Sequence, residues 1–189
     1  MITPTEYIQL KAYARQDGLI LGLIWIAAMA CFIGSMTNAQ WQRGFFLGTL
    51  STPFVVFWML KHYRDRVLQG SISYKRAFAF IAFTMVYASL IIAAATFVYF
   101  YFIDDGALFG TLMQNIKLPE VQQAFTDAGM SPKEIEEQLQ MVAQSRPIDF
   151  AFSVFFEGIV IAMIHAALLA ILGKKVKKNG YISSNTSVQ

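Results

Sequence analysis

The sequence predicts an all-α membrane protein with four transmembrane helices and an extracytoplasmic helical hairpin between the third and the fourth. Three observations predict it. Charged residues make up only 14% of the 189-residue chain and hydrophobic residues 56%, whereas a soluble domain carries about 25% charged residues. The charges are clumped and leave four long, almost uncharged runs, which is what a bilayer core requires. Lys and Arg are dense in every second connection and sparse in the others, the asymmetry of a chain that crosses a membrane repeatedly.

The first run, Leu19 to Met36, holds 18 residues. As a helix it is about 27 Å long, close to a hydrocarbon core of about 30 Å. Lys11, Arg15 and the weak site Thr37-Asn38-Ala39 also suit a signal peptide, but the run is longer than the usual apolar region of about 7 to 15 residues. The run is therefore expected to be a retained span. The second run, Gly44 to Leu60, has 17 residues and contains Pro53. Proline leaves the carbonyl four residues back, that of Thr49, without its donor. Hydroxyls such as Thr49, Ser51 and Thr52 help satisfy freed backbone groups in a membrane, so a helix kinked near Pro53 is expected.

The third run, Ala77 to Ile103, is 27 residues long. A helix of that length tilts or projects from the bilayer, and Tyr99 and Tyr101 suit its interfacial end. The fourth, Phe150 to Gly173, contains Glu157 and His165 and ends at Lys174, Lys175, Lys177 and Lys178.

Between the third and fourth runs, residues 104–149 hold eight acidic residues against Lys117, Lys133 and Arg146. Ser131-Pro132-Lys133-Glu134 reads as a helix start, with a capping serine, proline at the first helical position and a glutamate reaching back. Ile135, Leu139 and Val142 then recur at helical spacing. Pro119 opens a shorter helix that stops near Gly129. The segment reads as two helices forming a hairpin. A single transmembrane domain is expected over residues 1–178, and residues 179–189 read as a loose polar tail.

Eleven Lys and Arg fall on the side of the termini and the second connection, and four on the other side. The positive-inside rule puts the richer side in the cytoplasm. The expected location is the bacterial inner membrane, with both termini cytoplasmic and 104–149 periplasmic.

Four stretches resemble the DUF4199 family, small membrane proteins of unknown function common in Bacteroidetes. They are GSISYKRAF (Gly70 to Phe78), YFYFIDDGAL (Tyr99 to Leu108), GMSPKEIEEQLQMV (Gly129 to Val142) and the lysine cluster closing the last span. The resemblance covers most of the chain from Gly70 to Lys178. It implies a four-helix bundle in the inner membrane and carries no catalytic residues.

The residues argue against several function classes. The basic residues flank apolar segments, so the net charge of +3 points to the lipid bilayer as a partner and not to nucleic acid. One cysteine, Cys31, cannot form an internal disulfide. His62 and His165 are too far apart for a histidine metal site. No cofactor, metal site or catalytic set is expected, and an intramembrane protease would need paired groups that are missing.

What remains is a candidate intramembrane polar site. A carboxylate within a span is a functional hypothesis by default, which singles out Glu157. His165 lies eight residues on, about 12 Å along the axis and about 80° around it, so the two communicate only through water or a third residue. The plain alternative is structural: Glu157 bonded to a tyrosine, serine or carbonyl of another helix, and His165 bonded to Ser89 or Tyr87. Gly18/Gly22 and Gly44/Gly48 have the spacing that lets helices approach closely, with internal packing favoured over an oligomer contact. Arg64, Arg66, Lys75 and Arg76, with Lys174 and Lys175, are candidate contacts for anionic headgroups. Asp104-Asp105-Gly106 reads as a loop cap, because its spacing fails for calcium. The acidic polar face of the outer helix suits a protein partner better than lipid, making Ile135, Leu139 and Val142 a candidate surface for another membrane protein or a second copy. The expected function is a non-enzymatic accessory or scaffold subunit acting through this outer helix. The alternative is a small transporter or channel subunit using Glu157 and His165.

Overall fold

The computed structural model describes residues 3–104 and 106–175, without the side chains of residues 109, 112, 139, 142 and 143. The expected tail, 179–189, with Lys177 and Lys178, lies outside the described residues. Seven α-helices follow in chain order: α1 Pro4–Ser35, α2 Gln42–His62, α3 Tyr74–Phe102, α4 Ala107–Ile116, α5 Pro119–Asp127, α6 Pro132–Ala143 and α7 Pro147–Gly173. Helices α1, α2, α3 and α7 are long and apolar enough to cross a membrane. Their surfaces leave Leu47, Phe54, Trp58, Leu90, Val160 and Leu172 exposed. Apolar exposure on that scale is what lipid, not water, accommodates.

Helix α1 starts well before its apolar run. Thr3 and Glu6 form a reciprocal capping box and Pro4 takes the first helical position. Leu10 and Ala14 are fully buried with Tyr63, Ile72 and Phe80, so packing, not composition, carries the helix out to Pro4. Helix α2 continues through Pro53 and passes into a π-helical turn, Tyr63–Val67.

Helix α3 is the centre of the bundle. Half of its apolar window (50%) is buried, against 22%, 22% and 28% in the other three long helices. It lies along α1 on one side and α7 on the other, while α2 leans on α1. Small residues set these approaches, as expected where backbones must come close in lipid. A Cβ on Gly18 would meet Tyr87 Cβ at 2.6 Å and the Thr84 carbonyl at 2.7 Å. On α7, Ala151, Gly158, Ala162, Ala166, Ala170 and Gly173 are buried, and a Cβ on Gly158 would collide with the Ser89 hydroxyl. Gly22 faces Ile91, Gly44 faces Cys31 and Gly48 faces Ala28. Both glycine pairs therefore serve packing inside the bundle.

The end of the bundle that carries the α2–α3 connection is tied together. The Tyr63 and Phe80 rings stack with centroids 4.4 Å apart. Arg64 donates to the Gly173 carbonyl at 3.0 Å and clasps Asp65. Arg76 bonds Glu6 at 2.9 Å. Ile72 and Lys175 exchange both backbone hydrogen bonds, at 2.8 and 3.0 Å. Helices α2 and α7 come together here, with Gly173 against Leu60.

The expectation of two helices in residues 104–149 is corrected to three. The unforeseen one, α4, begins after Gly106, whose φ of +80° turns the chain out of α3. Asp104, only 5% exposed, accepts the Leu108 amide at 2.8 Å and the Tyr99 hydroxyl at 3.0 Å. A cap supplied from outside the helix, and by an acidic residue, conceals the start of α4 from a count of charges. Helix α6 begins as expected: the Glu134 carboxylate accepts from the Ser131 amide and hydroxyl, both at 2.7 Å, and these bonds hold its carboxyl below the ordinary value.

Candidate functional site

Each of the four long helices turns one stripe toward a common cavity of about 500 Å³. Helix α1 supplies Trp25, Ala28, Met29 and Phe32, α2 supplies Phe45, Thr49 and Thr52, α3 supplies Ile92 and Thr96, and α7 supplies Val154, Glu157, Gly158, Ile161 and His165. The spacing within each stripe is three or four residues, one face of a helix. Because α1–α3 and α3–α7 pack closely and α2 and α7 touch little away from Leu60 and Gly173, the cavity opens between α2 and α7.

Glu157 and His165, the two groups singled out from the sequence, line this same cavity. Both expected structural partnerships are corrected. Glu157 is exposed, and its carboxylate has no hydrogen-bond or ion-pair partner among the described residues. His165 does not reach Ser89 or Tyr87. Its Nδ1 lies 2.9 Å from the Ile161 carbonyl of its own helix. Ser89 sits at the closest α3–α7 approach, against Gly158, and donates to the Met85 carbonyl at 2.8 Å. A carbonyl can only accept, so His165 Nδ1 is the donor and Nε2 keeps its lone pair or takes an added proton.

Most of the other polar protons of the wall are committed. Trp25 Nε1 donates to Thr52 Oγ1 at 3.0 Å. The Thr49 hydroxyl donates to the Phe45 carbonyl at 2.9 Å and the Thr96 hydroxyl to the Ile92 carbonyl at 2.8 Å. Trp25 and Thr96 were not singled out from the sequence, and Thr49 and Thr52 were read only as relief for Pro53. Nothing in their own segments marks them, since a tryptophan or threonine in a span is most often lipid-facing or bonded to its own backbone.

The family described as protein of unknown function (DUF4199) matches residues 16–175. The chain belongs to the DUF4199 family. In this DUF4199 protein the matched stretch contains every residue that lines the cavity. No characterised protein and no solved structure matches the chain.

The remaining predicted site residues of the DUF4199 protein divide. Ile135 is buried, 6% exposed, and borders a crevice with Gln122 and Thr126 of α5, so its side chain is used within the chain. Leu139 and Val142 lie outside the described side chains. Among the basic residues, Arg66, Lys75, Lys174 and Lys175 are exposed. Arg64 and Arg76, with side chains 12% and 13% exposed, direct their guanidinium groups to Gly173, Asp65, Glu6 and Tyr63. Among the described residues no group of three metal-binding side chains converges.

Proposed function

We propose that this protein is a non-enzymatic, multi-pass protein of the bacterial inner membrane that works as a small transporter or channel subunit through its intramembrane cavity. One observation carries the reading: Glu157, without a partner among the described residues, shares a cavity wall with His165, whose Nε2 likewise has none there. A carboxylate at span depth is costly to keep, and this one has no hydrogen-bond or ion-pair partner among the described residues to offset that cost. Two groups able to exchange protons, about 12 Å apart along one helix and lining one cavity of about 500 Å³, would form a relay.

The rival reading, an accessory or scaffold subunit gripping a partner by its outer helices, loses its main anchor because Ile135 packs inside the chain. The orientation proposed is that of the positive-inside rule, with the end holding Arg66, Lys75, Lys174 and Lys175 in the cytoplasm and α4, α5 and α6 in the periplasm. Labelling of single cysteines in whole cells tests it: Lys117→Cys is expected to react with an impermeant maleimide and Arg66→Cys is not, and the opposite pattern inverts the topology.

The function is tested in proteoliposomes loaded with a pH-sensitive dye. Wild-type protein is expected to dissipate an imposed pH gradient faster than empty vesicles, and Glu157→Gln to abolish the difference. Equal rates for wild-type and empty vesicles would overturn the reading.

A further inference from the structure

We infer that the cavity is a binding site for an organic ammonium: a cationic hydrogen-bond donor carried on a compact apolar or aromatic body, entering from the side between α2 and α7. The inference rests on the cavity reading above and names the class of molecule the cavity takes.

The argument is a census of donors and acceptors. The indole N–H of Trp25 is spent on Thr52, the hydroxyl protons of Thr49 and Thr96 on backbone carbonyls, and the Nδ1 proton of His165 on Ile161. What these groups still present is mainly lone pairs: the hydroxyl oxygens and, in the neutral ring, Nε2 of His165, with the hydroxyl proton of Thr52, which only accepts from Trp25, as the remaining donor. Glu157, without a partner among the described residues, adds an acceptor-only carboxylate when ionised. Among the described residues no Lys or Arg lines the wall. A wall with more acceptors than free donors, one acid and, among the described residues, no fixed cation matches a ligand that brings donors and positive charge. It would repel a carboxylate or phosphate.

The rest of the wall defines the body of the ligand. Trp25, Phe32 and Phe45 offer aromatic faces, which attract cations as well as apolar groups. Met29, Ile92, Val154 and Ile161 complete an apolar lining. A volume of about 500 Å³ lies within the range of small-molecule sites and is far larger than a bare monovalent ion needs. Such an ion would also find here only scattered oxygens, not a shell. The opening between α2 and α7 faces the lipid, where an amphiphilic amine concentrates.

Trp25 provides the reporter, because the other tryptophans, Trp41 and Trp58, are exposed elsewhere. In lipid nanodiscs, a Trp41→Phe/Trp58→Phe protein is titrated with three probes of similar shape: phenethylammonium, 3-phenylpropanol and 3-phenylpropanoate. Quenching is expected to saturate at the lowest concentration for the ammonium, with the alcohol about tenfold weaker and the carboxylate weaker still. Glu157→Gln is expected to bring the ammonium to the level of the alcohol. Equilibrium dialysis of radiolabelled phenethylammonium against the wild-type protein should give the same order without the tryptophan changes. Equal affinity for ammonium and alcohol in both measurements, or ammonium affinity unchanged in Glu157→Gln, would overturn the inference. If the pH gradient collapses through Glu157 while ammonium binding is not selective, the inference fails and the transport reading stands. Selective binding without any flux is the converse.

Discussion

The indole of Trp25 on α1 donates to the hydroxyl of Thr52 on α2 across 3.0 Å, at the rim of the cavity and one residue before Pro53. This bond joins two helices that also meet through Gly44 against Cys31, Gly48 against Ala28 and the Phe32 and Phe45 rings, 5.3 Å apart. A double-mutant cycle of Trp25→Phe and Thr52→Val, measured by reversible unfolding in mixed micelles, is expected to give a coupling of about 0.6 kcal/mol, the average for interhelical hydrogen bonds in lipid. A coupling indistinguishable from zero would mean that the bond is not formed in the membrane.

Two helical glycines are expected to behave oppositely. Gly18→Ala places a methyl group 2.6 Å from Tyr87 Cβ and 2.7 Å from the Thr84 carbonyl. The backbones of α1 and α3 must separate, at a cost of about 1 to 3 kcal/mol. Gly110→Ala, in α4, meets nothing within 4 Å and removes a flexible residue from a helix, which is worth about 0.5 to 1 kcal/mol of stabilisation. Thermal unfolding of both variants in the same detergent separates the outcomes. Equal shifts would show that the α1–α3 approach is looser than described.

Arg64 satisfies the Gly173 carbonyl at the end of α7 while holding Asp65 with two bonds, at 2.7 and 3.0 Å. Lysine keeps the charge but not the fork that serves both partners. Arg64→Lys is expected to lower stability by about 1.5 to 3 kcal/mol, the range of a single hydrogen bond from a charged group. Limited proteolysis near Lys175 should quicken in step. Unchanged proteolysis and melting would show that the end of α7 is held by the Ile72–Lys175 bridge alone.

Helix α6 carries a pH dependence of known sign. Ser131 holds the Glu134 carboxyl below its ordinary value, so the cap contributes fully above the unfolded carboxyl pKa, about 4.3, and is lost as pH falls through the folded value. Amide-exchange protection at the start of α6, corrected for intrinsic rates, is expected to fall in that acid window in the wild type. In Ser131→Ala it should be low at every pH. Protection that rises on acidification would contradict the cap.

Some of this was legible in the residues taken one run at a time. Four spans are visible because a bilayer core tolerates almost no charge, and 14% charged residues clumped at the boundaries leave no other reading. The start of α6 is visible because serine, proline and glutamate act within four residues of one another. Glu157 is visible because a carboxylate in a span is conspicuous wherever it stands. The first fifteen residues of α1 and the whole of α4 were not legible. Leu10 and Ala14 are held by Tyr63, Ile72 and Phe80, and α4 is capped by Asp104 from outside itself, so distant partners or a turn decide both.

The cavity belongs entirely to the tertiary structure. The sequence by itself determined that Glu157 and His165 occur on one helix about 12 Å apart, and that short-range geometry alone settles. It could not determine that Trp25, Thr49, Thr52 and Thr96 converge on them from three other helices. Nor could it show that most donors of that wall are used up, since a hydrogen bond such as Trp25 to Thr52 spans 27 positions of the chain. Hydrophobicity along the chain places helices in the bilayer, and close approaches at Gly18, Gly48 and Gly158 decide which faces meet. The space left where α2 and α7 part follows from those contacts, because packing fixes voids as well as interfaces.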